Sequence, residues 1–169
     1  CTYNPEPLAD FFDIFYIGEG ETIYYDLIDM YQEHKKAGRS RAEFLRKCSH
    51  MPGLYVPSLY EHTYKEDGTL AAITPLEGAP EKVRKRIISN LDTVPFPTNP
   101  IVPSTEVVHD RVSLELFRGC VRGCRFCQAG HVYRPIRAKK KDTLVRQGIE
   151  ALKNTGYQEL TLLSLSTSD

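Results

Sequence analysis

Residues 112–130 read VSLELFRGCVRGCRFCQAG, and the interpretation of the whole chain depends on this stretch. Apolar and polar residues alternate over 112–116, a period of two that predicts a β-strand. Cys120, Cys124 and Cys127 follow the strand with the spacing C-x3-C-x2-C. The stretch therefore predicts a strand that delivers the chain into a loop of three thiols.

Three thiols at this spacing point to an iron-sulfur cluster. A cubane cluster held entirely by protein takes four thiolates, so three cysteines leave one iron open to another ligand. Two alternatives stay open. His131 completes a C-x3-C-x2-C-x3-H set, which would suit zinc in a nucleic-acid-binding module. A non-catalytic electron carrier would need a fourth cluster ligand from elsewhere.

Charge is balanced in total and segregated along the chain. Lys plus Arg and Asp plus Glu each number 22. Residues 118–146 hold nine basic residues against Asp142 alone, whereas residues 1–30 hold seven acids and no Lys or Arg. Charge of one sign steers partners of the other. The basic segment therefore predicts an anionic partner, either RNA or an acidic electron donor such as flavodoxin or ferredoxin; the alternative is an ordinary solvated surface.

The apolar runs are short. None approaches the roughly 18 residues of a membrane span, and no signal peptide begins the sequence. We therefore expect no membrane partner and a cytoplasmic location, where thiols stay reduced. Cys48 lies far from the other thiols in sequence and is interpreted as a small core residue. Cys1 is expected to be dispensable as well.

The first half of the chain carries local signals for several elements. A buried strand is predicted over 11–17, and a helix over 22–37. Ser40 and Glu43 form a capping box for a second, short helix. Asp67-Gly68 lies between β-prone stretches at 59–64 and 69–74 and predicts a hairpin. A strand is predicted over 83–88, and four prolines within residues 95–103 predict an extended linker.

A helix and a second strand are predicted after the cysteine loop. Asp142 is expected to cap the helix, with Val145, Ile149 and Leu152 on its apolar face, and the Gly156 region ends it. A buried strand is predicted over 160–165. Residues 111–165 would then form one strand-helix-strand unit. A complete (β/α)8 barrel takes at least roughly 200 residues, so we expect the chain to be a fragment whose barrel is truncated.

Residues 114–130, together with YRPIR at 133–137, resemble a family of radical S-adenosylmethionine (SAM) proteins whose barrel follows a cobalamin-binding-like domain. NPEP at 4–7 and IGEGE at 17–21 are similar to the end of that first domain, and NLDTVPFPT at 90–98 to the approach to the barrel. The resemblance implies an α/β fold. Residues 1–50 would end a Rossmann-like domain, 51–106 would form a β-hairpin and Pro-rich linker, and 107–169 would begin the radical SAM barrel.

The resemblance also implies a site and a reaction. Its three cysteines would hold a 4Fe-4S cluster whose open iron binds SAM, and the reduced cluster would cleave SAM to methionine and a 5'-deoxyadenosyl radical. The Phe126 backbone would lie near the adenine. Three residues after the second strand would contact the amino group of SAM, namely Ser166, Thr167 and Ser168.

Two further expectations concern the barrel interior and cobalamin. Strand alternation turns Glu115 toward the barrel lumen, which makes it a candidate for contact with substrate or SAM. Phe117, Val121 and Phe126 are expected to shield the cluster. Cobalamin is not assigned to this sequence, because no D-x-H-x-x-G ligand motif occurs in it.

Overall fold

The computed structural model describes residues 4–167, over which four α-helices and several two-stranded sheets give a mixed α/β fold. The chain divides between Ile87 and Ile88 into two compact units. The functional division into 1–50, 51–106 and 107–169 stays a prediction. No helix in the described part is long and apolar enough to cross a membrane.

The first unit contains two helices and four short strands. In chain order these are β1 Phe15–Tyr16, α1 Ile23–Lys36, α2 Arg41–Ser49, β2 Leu54–Tyr55, β3 Tyr60–Tyr64 and β4 Leu70–Pro75. Strand β1 pairs antiparallel with β2, and β3 pairs antiparallel with β4. The two predicted helices and the predicted hairpin are confirmed.

Hydrogen bonds at the helix end and at the hairpin turn match the local sequence signals for these elements. The Ser40 hydroxyl accepts the Glu43 amide at 3.3 Å, and the Glu43 carboxylate accepts the Ser40 amide at 2.9 Å, so the capping box is complete. At the hairpin turn the Asp67 carboxylate accepts the Thr69 amide at 2.9 Å. Gly68 takes the left-handed conformation there, with φ of 78°, which suits a residue without a Cβ.

The core of the first unit lies between the two helices and the strands. Its most deeply buried side chains are Ile23, Cys48, Leu54 and Val56. Cys48 is fully buried, as its interpretation as a core residue requires, and burial raises the pKa of its thiol to about 11. A thiol in this state is chemically inert.

Two strand predictions in the first unit are wrong in extent. Over 11–17 only β1 forms, and Phe11 and Phe12 are 78% and 52% exposed. Successive turns precede β1, and the Phe11 amide donates to the Leu8 carbonyl at 3.1 Å, so these backbone groups are not available for a ladder.

Over 83–88 the chain forms a single bridge rather than a strand. Arg86 pairs with Gly18, and the Arg86 amide donates to the Ile17 carbonyl at 3.0 Å. A Cβ on Gly18 would lie 2.3 Å from the Arg86 carbonyl oxygen, so glycine permits this close approach.

In the second unit a short 3-10 helix, Leu91–Thr93, comes first. Residues 94–111 then contain neither helix nor strand, as the prolines predict. The elements that follow are β5 Val112–Glu115, β6 Phe117–Arg118, α3 Ala129–Val132, β7 Arg137–Ala138, α4 Lys141–Thr155 and β8 Leu160–Leu163. Strands β5 and β8 pair in parallel, with α4 as the connection between them. The predicted strand-helix-strand unit is confirmed, and Gly156 ends α4 with φ of 76°.

The predicted cap and buried face of α4 are wrong. The helix begins after Lys140, whose amide donates to the Asp92 carboxylate at 2.8 Å, so Asp92 rather than Asp142 binds this end of the helix. Val145 and Ile149 are about half exposed, at 50% and 51%. The buried residues of α4 are Gln147, Gly148 and Ala151.

Close packing explains which face of α4 is buried. A Cβ on Gly148 would lie 3.1 Å from Leu160 Cδ1 and 3.7 Å from Leu114 Cδ2, so the helix approaches both strands through its smallest residue. Strand β8 is less buried than predicted, because Leu162 and Leu163 are 49% and 48% exposed. Among residues 4–167, β5 is its only pairing partner, and α4 covers one face of the pair.

Candidate metal centre

The three cysteines lie in the segment 119–136, here called the cysteine loop, which leaves the carboxyl end of β5. Strands β6 and β7 pair antiparallel at the base of this loop, with Arg118 opposite Arg137. The Lys139 amide donates to the Leu116 carbonyl at 3.0 Å and extends the pairing. The loop is therefore closed at its neck, where the two strands pair. The sequence gives no signal for this pairing, because two-residue strands have no detectable periodicity.

Gly119 allows the two ends of the loop to touch. Its φ is 91°, and a Cβ there would lie 2.7 Å from the carbonyl oxygens of Tyr133 and Pro135. Real Cβ atoms do not approach backbone oxygens so closely. A glycine directly before the first cysteine is thus a requirement of the closed neck.

The thiols differ in exposure. Cys120 is buried, Cys127 is half-buried and Cys124 is exposed. The sulfur of Cys120 accepts the Arg122 amide, and the sulfur of Cys127 accepts the Gly130 amide, each at 3.4 Å. Backbone hydrogen bonds to sulfur are one means by which proteins tune thiolate-bound clusters.

Gly130 places two of these residues beside the same small space. A Cβ on Gly130 would lie 3.8 Å from Cys127 Sγ and 4.0 Å from Cys120 Cβ. Glycine leaves that space open between the two cysteines. At these distances a methyl group on residue 130 would only make ordinary van der Waals contact with the two cysteines.

The donor set fits a cluster, although it is not assembled in advance. Within residues 4–167 no group of three or more His, Cys, Asp or Glu side chains is close enough to hold a metal ion. Cys124 lies in the exposed stretch 121–126, which contains no helix or strand. Cys120 and Cys127 thus have amide-bonded sulfurs, and holding a metal with all three thiols would require Cys124 and its exposed stretch to move.

Basic residues hold the cysteine loop together from within. Arg134 Nε donates to the Gly130 carbonyl and its Nη2 to the Arg122 carbonyl, both at 3.1 Å. Arg137 donates to the Pro135 carbonyl at 2.9 Å and to the Ile88 carbonyl at 2.9 Å. Part of the predicted basic patch is therefore internal support for the loop.

Glu115 lies in an ion-pair cluster at the end of β5. Its carboxylate oxygens accept from Arg118 Nε at 2.9 Å and Nη2 at 3.1 Å. Lys139 Nζ lies 3.9 Å from the same carboxylate. Burial lowers the pKa of Lys139, and Glu115 acts in the opposite direction. Lys139 therefore does not belong to the exposed basic surface that the sequence predicted.

The exposed part of the basic segment is smaller than its sequence suggests. Its exposed side chains are Arg122, Arg125, Arg134, Lys140, Lys141 and Arg146. Phe126 is 92% and Val121 is 64% exposed, so neither shields the cysteines in this structure, whereas Phe117 is half-buried. His131, in α3, is also exposed.

The residues predicted to meet SAM follow β8. Because β5 and β8 are parallel, the segment after β8 leaves the same edge of the sheet as the cysteine loop. Ser164 and Thr167 hydroxyl oxygens lie 2.6 Å apart in this segment, and Ser166 is half-buried beside them. Ser168 lies outside the described residues, as does Cys1.

The family described as radical SAM proteins, N-terminal, matches residues 1–57 of this chain. That match supports membership of the radical SAM superfamily. It lies within the first unit and does not include the cysteine loop.

An uncharacterized protein of Methanocaldococcus jannaschii is 39% identical over 56 residues, which are 33% of this chain and 13% of the relative. The chain thus matches a small part of that protein. No solved structure matches the chain.

Proposed function

We propose that this chain is a radical SAM enzyme in which Cys120, Cys124 and Cys127 hold a 4Fe-4S cluster. The observation that carries the proposal is the position of the three thiols in one closed loop at the carboxyl edge of a parallel strand-helix-strand unit. Enzymes built on β/α units place their reactive groups at this edge. The match of the first unit to the radical SAM family supports the same conclusion from different residues.

When bound, the cluster and SAM would supply one-electron cleavage of the sulfonium and a radical able to abstract a substrate hydrogen. The chain's own residues would orient and protect that chemistry. The β6–β7 neck fixes both ends of the loop, and Arg134 ties the Gly130 carbonyl to the Arg122 carbonyl. The amides of Arg122 and Gly130 donate to two ligand sulfurs.

SAM would lie between the cysteine loop and the segment after β8. Ser166 and Thr167, followed by Ser168, would accept from its amino group, since hydroxyl oxygens accept from an ammonium. The exposed Phe126 would offer its backbone to the adenine. This arrangement would use the edge that the parallel pairing of β5 and β8 gives to both segments.

Five of the exposed cations, Arg122, Arg125, Lys140, Lys141 and Arg146, would receive an anionic partner. An acidic electron donor such as flavodoxin or ferredoxin fits the need of the cluster for reduction, and an anionic substrate such as RNA is the other use of this surface. We propose no role for cobalamin. The resemblance of residues 1–50 to a cobalamin-binding domain stays a prediction.

Metal analysis of the reconstituted chain tests the cluster directly. After anaerobic incubation with iron and sulfide, the chain should hold about four irons, as a cubane cluster requires. Replacing any one of the three loop cysteines by Ala should abolish the cluster, whereas Cys48→Ala and His131→Ala should keep it. Zinc retained in place of iron, with loss on His131→Ala, would instead support the zinc module.

A further inference from the structure

The first unit contains a cleft that has no role in the proposed function. Its volume is about 420 Å³, which is within the range of small-molecule sites. The cleft is lined by two carboxylates, Glu6 and Glu81, and by two aromatic rings, Tyr55 and Tyr60. We call it the tyrosine cleft. Its walls also include aliphatic side chains, among them Ile17 and Val83.

The hydroxyl protons of both tyrosines are already used in hydrogen bonds. The Tyr55 hydroxyl donates to the Glu6 carboxylate, and the Tyr60 hydroxyl donates to the Pro80 carbonyl oxygen at 2.8 Å. Burial raises the pKa of both hydroxyls, so both remain protonated and keep these bonds. The centres of the two rings lie 4.9 Å apart. The tyrosines therefore offer a ligand their rings and not a hydroxyl proton.

The tyrosine cleft carries negative charge that the chain does not neutralise. Among residues 4–167, Glu81 is exposed and forms no ion pair. Glu6 Oε2 lies 3.4 Å from His62 Nε2, which balances the carboxylate only when the imidazole is protonated. Among the described residues, no Lys, Arg or His side chain lines the cleft. A positively charged ligand would therefore meet two carboxylates and no competing cation within the cleft.

The lining favours an organic cation over a metal ion. No group of three or more His, Cys, Asp or Glu side chains within residues 4–167 could hold a metal, and hard metal ions require several oxygen ligands. An ammonium group donates hydrogen bonds to carboxylates and is attracted by the face of a tyrosine ring. The aliphatic walls suit a ligand whose remaining atoms are apolar.

We propose that the tyrosine cleft binds a small organic cation, namely a primary ammonium attached to an apolar body. Glu6 and Glu81 would bind the ammonium, and Tyr55 and Tyr60 would contact the apolar part or the cation through their rings. All of these residues belong to the first unit. The site is therefore independent of the cysteine loop and of the proposed function.

Three probes that share a phenyl ring and differ in charge test the recognition of a cation. Benzylamine is positive, benzyl alcohol is neutral and benzoate is negative at pH 8, where an ordinary imidazole is uncharged. Saturation-transfer NMR titrations of the full chain without added iron give the dissociation constants. Benzylamine should bind saturably, benzyl alcohol should bind about fivefold more weakly or worse, and benzoate should bind least.

Two variants place the binding in the tyrosine cleft. Glu81→Gln and Glu6→Gln each remove one negative charge and keep the side-chain shape, and an amide oxygen at position 6 can still accept the Tyr55 hydroxyl. Each should weaken benzylamine binding by about two- to fivefold and leave benzyl alcohol binding unchanged. Glu66→Gln makes the same charge change at an exposed residue of the hairpin turn and should leave both probes unaffected.

Weaker binding of benzylamine by the cleft variants, but not by Glu66→Gln, would support the inference. Equal affinity of the unmodified chain for benzylamine and benzyl alcohol would overturn it, and so would the absence of saturable benzylamine binding. Equal weakening by all three variants would assign the effect to net charge and would also overturn it. If one cleft variant does not fold, the other variant decides. A chain that takes up no iron leaves these measurements unchanged, so failure of the proposed function is distinguished from failure of this site.

Discussion

Glu115 and Leu163 are register partners in the parallel pair of β5 and β8. The next residue along each strand therefore leaves the sheet at the same edge, and the Leu116 amide donates to the Leu163 carbonyl at 2.9 Å to complete the pairing. This relationship places the cysteine loop and the Ser164–Thr167 segment at the same edge of the sheet. The site we propose exists only because the strand-helix-strand unit has this register.

The neck of the loop should be sensitive to a single methyl group. Gly119→Ala forces a Cβ to within 2.7 Å of two carbonyl oxygens at a φ of 91°. We expect a loss of stability of about 1–3 kcal/mol in the second unit and weakened cluster retention. Gly123→Ala in the same loop meets nothing within 4 Å and serves as the control. Iron content and thermal unfolding of both variants give the measurement, and equal behaviour would contradict a closed neck.

The capping box at α2 predicts a measurable loss of stability. Ser40→Ala removes the hydroxyl that accepts the Glu43 amide. We expect the free energy of unfolding of the first unit to fall by about 1 kcal/mol. Thr22 precedes α1 without a side-chain capping bond, so Thr22→Ala should cost less. Urea unfolding of both variants distinguishes them, and a larger effect at Thr22 would show that the cap does not stabilise the unit.

Asp92 should make the second unit sensitive to acid. Its carboxylate accepts the Lys140 amide and the Thr143 hydroxyl, which lowers its pKa below the usual value of 3.8. A group whose folded pKa is depressed contributes stability above its unfolded pKa, and this contribution is lost as pH falls through the folded pKa. The chain should therefore be more stable than Asp92→Asn at neutral pH, with a difference that disappears in acid.

Urea unfolding over a series of pH values measures the Asp92 contribution. Asp92→Ala, which removes the hydrogen bonds together with the charge, should keep part of its deficit in acid. A difference between the chain and Asp92→Asn that does not change with pH would show that the charge of Asp92 is not coupled to folding.

The exposed cations near the loop should control the approach of an acidic electron donor. Lys141→Gln at the first residue of α4 should slow reduction of the cluster by flavodoxin several-fold at low salt, and the difference should shrink as salt screens the charge. Lys153→Gln is the matched control, because α4 runs about 1.5 Å per residue away from the loop edge and Lys153 lies in its last turn. Stopped-flow reduction at two salt concentrations gives the rates. Equal slowing by the control would assign the effect to net charge alone.

The fold features that sequence predicted correctly rest on local signals. The Ser40 capping box, the Asp67-Gly68 turn and the Gly156 helix end are each determined by residues within a few positions. The alternation at 112–116 predicted β5 for the same reason. Such local signals can be recognised in the sequence without knowing which distant residues pack against the element.

The features that sequence missed depend on packing between distant segments. Val145 and Ile149 have helical spacing, yet α4 is buried through Gly148 because the helix approaches Leu160 and Leu114 closely. The β6–β7 neck joins residues about 20 apart through two-residue strands. In the sequence Lys139 belongs to a run of basic residues, which predicts an exposed side chain. In the structure it is buried next to Glu115 and Gln147. The cysteine spacing located the candidate site, but not the supports around it.

The open iron is the central claim, and electron paramagnetic resonance of the reduced cluster with and without SAM tests it most directly. A cluster held by three thiolates has an iron that SAM can bind, so the account predicts a signal after reduction that changes when SAM is added and is absent from Cys124→Ala. A signal that SAM leaves unchanged would indicate a fully ligated electron-carrying cluster and would contradict the account. A chain that holds zinc and gives no signal would contradict it as well.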